Sequence, residues 1–212
     1  MLRRIYLFFK SLLTLLWPAA KAASVEDSAE APGIEFAQEG AFFDMVGSFI
    51  VATASCPAIF NEDNPMNLRA DHYIAVEGKV VLGRHLRPLE VFAQVHRGHF
   101  TMGKYLETCC CMLANTAYES VKEENDHSPP FEFLRHVRNA SSHGNRFSFA
   151  THEPARPAVW RTASFDHTAK GAANPLQGKK CFGEVLGNAD IIDLLWDIEQ
   201  WIKTKRASVD AA

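Results

Sequence analysis

From about Thr101 to Glu124 the chain places its apolar residues at helical intervals without an internal proline. Met102, Tyr105, Leu106, Cys109, Met112, Leu113, Thr116 and Ser120 fall on one stripe. Lys104, Glu107, Glu119, Lys122 and Glu123 fall mostly opposite. A helix this long with one apolar side has to bury that side against other helices or a sheet. The rest of the chain supplies helices. After the polar break Asn125–Ser128, Ser128 is placed to cap a second helix, with Pro129 at its first position and Glu132 in its first turn. That helix turns Phe133, Leu134, Val137 and Ala140 inward and ends at Gly144, a left-handed cap.

Two further helices complete the set. Phe42, Phe43, Val46, Phe49, Ile50 and Ala54 keep helical spacing before Pro57. Asn188 to Lys203 is amphipathic, with Ile191, Leu194, Leu195, Ile198, Trp201 and Ile202 inward and Asp190, Asp193, Asp197 and Glu199 outward. Hydrophobic residues make up 47 % of the 212, enough to cover such helices. The expected class is all-α, a four-helix up-and-down bundle with a small irregular or β-hairpin excursion before the last helix. That hairpin pairs Val159–Thr162 with Lys180–Phe182 around an insert, and a smaller one pairs Tyr73–Val76 with Lys79–Leu82. The segments read as 1–23, an amphipathic or signal-like helix; 24–40, an acidic, alanine-rich linker; 41–203, the helical domain; and 204–212, a tail.

In segment 1–23, Ile5, Phe8, Leu12, Leu15 and Leu16 share one side, and Lys10 interrupts the apolar run. The run is too short to span a bilayer, which leaves membrane-surface or partner docking, with a cleaved signal as the alternative. The five cysteines are odd in number, three are adjacent, and none forms a CxxC pair. They suit buried apolar roles in a reducing, cytoplasmic compartment. No carboxylate cluster or zinc spacing occurs, so neither a metal nor a cofactor is expected.

Net charge is −3, yet Arg135, Arg138, Arg146, Arg156 and Arg161 crowd one stretch with His136, His143 and His152. Within it, Arg138-Asn139-Ala140-Ser141-Ser142-His143 is followed by Gly144. In an unbroken helix residues five apart diverge by ~140° and ~7.5 Å. Arg138 and His143 converge only if the helix ends between them, as Gly144 suggests. An arginine fork binds phosphate oxygens and an imidazole moves protons near neutrality, the two services that RNA cleavage by its own 2′-hydroxyl needs. Asn139 could orient the imidazole or bind phosphate. Arg135 and Ser142 share the Arg138 face, and with Arg146 they are the candidate RNA or phosphate contacts.

The run Phe133 to Gly144 resembles the signature of the HEPN superfamily (higher eukaryotes and prokaryotes nucleotide-binding domain), an arginine and a histidine separated by four to six residues with Asn, Asp or His after the arginine. The four-helix layout and the Trp160 segment before the last helix are also similar, over roughly residues 42 to 203. The resemblance implies an HEPN-like bundle and a homodimer whose two motifs face each other. It implies a metal-independent endoribonuclease, with Arg138 stabilising the phosphoryl group and His143 as general acid or base. It further implies single-stranded RNA or tRNA as substrate and a toxin–antitoxin or defence setting with an antitoxin protein as partner. The alternative is a non-catalytic HEPN scaffold that binds RNA or nucleotide.

Overall fold

The protein is described by a computed structural model covering residues 34, 36–56, 71, 74–76, 78–80 and 83–210. The expectations for 1–23, for most of the 24–40 linker and for much of 61–87 lie outside these residues. Among the described residues no helix is long and apolar enough to cross a membrane. The helical class holds, with two small two-stranded antiparallel sheets added.

Where the sequence suggests one continuous domain over 41–203, the chain divides into two compact units. One contains Ser55–Phe100 and the other joins Ile34–Ala54 to Thr101–Ala212. The first holds β1 (Ile74–Val76) and β2 (Arg84–Leu86), paired with Ala75 opposite His85, followed by α2 (Pro88–His96). The second strand therefore starts beyond the expected 79–82, and α2 was not foreseen.

The second unit contains α1 (Phe43–Ala54), α3 (Met102–Val121), α4 (Pro129–Ser142) and α5 (Asp190–Asp210). α3 touches the other three. Its Thr101 hydroxyl accepts the Lys104 N–H at 3.3 Å, closing its first turn. The buried side of α3 only partly follows the expected stripe. It is Cys110, Cys111, Leu113, Ala114, Ala117 and Val121, of which the stripe contained Leu113; Tyr105, Leu106 and Cys109 are half-buried, whereas Met112 is 65 % exposed and Met102, Thr116 and Ser120 are also exposed. Hydropathy favoured the larger side chains. Small residues let neighbouring helices approach, and the core volume is then filled from α4 by Phe131, Phe133, Leu134 and Val137.

α4 begins as expected at Pro129 after an extended Ser128, but the Ser128 hydroxyl caps nothing and is buried without a partner. Instead Asn125 and Asp126 side chains accept the N–H groups of His127 and Ser128 and shape the turn. At the far end Gly144 and Asn145 both take positive φ, 68° and 65°, and Arg146 N–H returns to Ala140 O at 3.0 Å.

The hairpin before α5 is β3 (Ala158–Trp160) with β4 (Ala163–Phe165), joined by Arg161-Thr162. It replaces the expected pairing with 180–182, since a two-residue turn costs less closure entropy than a long insert. Lys180 and Phe182 form isolated bridges to Arg146 and Leu186. Phe165 stacks on Phe133 at 4.6 Å, and the Trp160 indole donates to Asp197 of α5 at 2.9 Å. α5 runs through the expected tail to Asp210, and Glu199, expected outside, is buried. Phe36, from the expected linker, is buried against Trp196.

Candidate functional site

α4 is continuous from Arg138 through Ser142, so the helix does not end inside the motif. His143 is the C-cap with φ −99°, and the left-handed turn comes only at Gly144. The two side chains therefore diverge by roughly 140° around the axis, contrary to the convergence expected from Gly144. Arg138 reaches α3. Its Nη2 donates to Glu119 Oε1 at 2.5 Å, its Nη1 donates to Asn139 Oδ1 at 3.2 Å, and its Cζ lies 5.7 Å from the Tyr118 ring centre. Its Nε is buried without an acceptor. His143 is exposed, anchored only through its backbone N–H to Asn139 O and Ala140 O.

The geometry has a simple origin. Arg138 and Ser142 are four apart on α4, and Asn115 and Glu119 are four apart on α3. Ser142 Oγ donates to Asn115 Oδ1 at 2.7 Å, alongside the Arg138–Glu119 pair. The result is a polar seam between the helices with His143 at its exposed end. Asn139 serves Arg138 here and does not orient the imidazole. Hydrogen bonds from Lys122 and from Arg138 hold the Glu119 carboxyl below the usual carboxylate range.

Arg135 is engaged within the protein. It bonds Glu132 Oε2 through Nε at 3.0 Å, Glu153 Oε1 through Nη1 at 2.7 Å, and donates from Nη2 to His136 Nε2 at 3.2 Å. Arg146 donates to Gly178 O at 2.7 Å, tying the 176–180 strap to the end of α4, although it stays exposed. Glu132 is the buried centre of this ladder, its side chain 1 % exposed, and its Oε1 also accepts His127 Nδ1–H at 2.9 Å. Burial pushes its carboxyl up, but the His127 hydrogen bond and the Arg135 charge outweigh that and hold it below the usual range.

His136 is buried between Phe149 and Phe165. Burial, with the adjacent Arg135 charge, lowers its pKa from 6.5 to about 4. Since arginine only donates, His136 Nε2 accepts and the ring is neutral. Between those two values the unfolded chain binds a proton that the folded one does not. Stability therefore falls as pH drops through this interval, by about 2 kcal/mol at pH 5. Urea unfolding of the parent and a His136→Gln variant at pH 7 and pH 5 measures this. The variant should show a correspondingly smaller loss.

Cys110, Cys111 and Cys181 are buried, and burial drives the Cys110 thiol up to about 12.

Two cavities flank the seam. An apolar groove of about 400 Å³ lies between α1 and α3, lined by Met45, Phe49, Cys109, Met112, Leu113 and Thr116. A polar cavity of about 430 Å³ is bounded by Tyr118, Lys122, His127, Glu132, His152 and Arg156, among others. Sequence reading missed this second cavity and the role of Glu119. The Glu132–Arg135 spacing hints at a pair, but Glu153 and Glu119 lie on other elements, and their meeting with α4 is a tertiary event.

No protein-family model matches the chain, and no curated protein or solved structure matches it either.

Proposed function

We propose that the chain is a metal-independent endoribonuclease of HEPN type that acts as a homodimer. The observation that carries the reading is the polar seam of Arg138, Asn139 and Ser142 against α3, with an exposed His143 just beyond it at the end of α4. One α4 splays Arg138 and His143 apart, so a site that uses both draws Arg138 from one copy and His143 from the other. The exposed α3 residues Met112, Thr116 and Glu119, with the half-buried Asn115 between them, support such a contact, because they join the apolar α1–α3 groove to the seam. The four helices of the second unit then form the HEPN-like bundle.

In the reaction His143 takes the 2′-hydroxyl proton as that oxygen attacks phosphorus, and the proton is returned to the departing 5′-oxygen by the same imidazole or by water. The Arg138 guanidinium meets the charge that grows on the phosphoryl oxygens. Glu119 holds that guanidinium in place, and the phosphate takes over donors that Asn139 and Glu119 occupy in the free protein. The products are a 2′,3′-cyclic phosphate and a 5′-hydroxyl. Single-stranded RNA or tRNA is the substrate class, and a toxin whose activity an antitoxin protein restrains is the setting.

A second reading has its own support. Arg138 is already engaged by a carboxylate, which suits a scaffold that binds RNA or nucleotide without cutting it. Incubation of the purified chain with single-stranded RNA and with tRNA in EDTA separates the two. Cleavage leaving cyclic-phosphate ends is expected, and tight binding with intact RNA would instead establish the scaffold.

A further inference from the structure

We propose that the polar cavity beside the seam is a subsite for a backbone phosphate of the RNA strand, flanking the scissile one. The inference rests on the RNA-handling reading above.

The cavity lies where the end of α3, the Asn125–His127 turn, the first turns of α4 and the His152–Arg156 loop come together. Its two carboxylates are satisfied. Glu132 is bonded by Arg135 and His127, and Glu153 is bonded by Arg135 at 2.7 Å. Of the rim cations, Arg156 is the least engaged. Arg156 is half exposed, stands 4.0 Å from Glu132 at its nearest, and makes no hydrogen bond among the described residues. Its planar fork is therefore open to phosphate oxygens. Lys122 is half exposed and shares only Glu119, at 3.0 Å. The exposed His152 adds a ring N–H donor. Among the lining residues Lys122, Arg135 and Arg156 exceed Glu132 and Glu153 by one positive charge, while Glu119 behind Lys122 is shared with Arg138.

The cavity is also continuous with the seam. Tyr118 lines it and carries the Arg138 guanidinium on its ring, while Glu119 bonds both Arg138 and Lys122. Tyr118 and Lys122 are one helical turn apart, ~6 Å. A strand that puts one phosphate on Arg138 can therefore follow the end of α3 and present another to Lys122 and Arg156.

The same phosphate chemistry could come from a free nucleotide, so the test separates the sources. Binding of a fluorescent dinucleotide and of an eight-nucleotide RNA, both 2′-O-methylated so that they cannot be cut, to the full chain is followed by anisotropy across a salt series, with Arg156→Ala and Arg156→Lys variants, and cleavage of the unmodified RNA is scored in parallel. The expected result is that Arg156→Ala weakens the eight-nucleotide RNA by about tenfold, reduces its salt slope by about 0.7, and leaves the dinucleotide unchanged. Arg156→Lys should restore the slope. Circular dichroism should stay at the parent signal, because Arg156 is on the surface.

Equal affinity of parent and Arg156→Ala for the eight-nucleotide RNA, or no gain in affinity with length, overturns the proposal. So does competition by a nucleoside 5′-monophosphate that depends on Arg156 while the longer RNA is indifferent to it. If RNA stays intact yet binding depends on length and Arg156, the subsite stands and the nuclease reading falls. If RNA is cut but Arg156 is immaterial, the reverse holds.

Discussion

His143→Ala is expected to reduce RNA cleavage by about 10²- to 10⁴-fold, the usual contribution of a positioned proton-transfer group. The fold should not change. The imidazole is exposed, and the helix end is held by backbone groups that alanine retains. Arg138→Ala should cost about 10²- to 10³-fold. Its ion pair with Glu119 is substantially exposed, 33 % and 43 %, so stability should shift by no more than about 1 kcal/mol. Cleavage rates in EDTA, together with thermal unfolding of each variant, decide between site and scaffold roles. Full activity in either variant removes that residue from the chemistry, and unfolding would make it structural. A mixture of the two variants adds a sharper measurement. If each site takes Arg138 from one copy and His143 from the other, half the dimers are mixed and each regains one intact site, about a quarter of parent activity. A site built within one copy would show no recovery.

Glu132→Ala is expected to destabilise the fold by about 3 kcal/mol, measured by urea unfolding at pH 7. The carboxylate is buried and bonded on both oxygens, by His127 at 2.9 Å and by Arg135 at 2.9 and 3.0 Å. Its removal leaves the Arg135 charge half-buried with only Glu153, which keeps the loss at the lower end of the range for a broken buried pair. The folded Glu132 carboxyl lies below its unfolded value of ~4.3. Its contribution is thus complete above that value and disappears as acid titrates the folded carboxylate. The gap between parent and Glu132→Gln should accordingly be widest near neutrality and close in acid. A gap independent of pH would mean that charge is not what Glu132 contributes.

Both predictions concern residues one helix places close together, yet only one group was recognisable beforehand. The run from Arg138 to Gly144 could be read directly, because an arginine, a histidine and a glycine at fixed spacing are a local pattern. Glu132 looked like an ordinary first-turn acid. It is buried because Arg135 offsets its charge on one side and His127 donates a hydrogen bond on the other, and Glu153, eighteen residues past Arg135, completes the ladder. The inner face of α3 was misjudged for a related reason. Hydropathy ranks Met112 above Ala114 and Ala117, whereas close helix contact selects the small side chains.

Local physics thus set the helices themselves: the α3 start at Thr101, the α4 start at Pro129, the left-handed stop at Gly144 and the apolar face of α5. Those depend on dihedral preference and periodicity, which neighbouring residues carry. Tertiary structure decided where Arg138 points, which carboxylate holds it, and that Arg135 is held by Glu153 as well as Glu132. Each of these is a choice among charged partners distant in the chain, and it is settled by which groups burial forces to find a counter-charge.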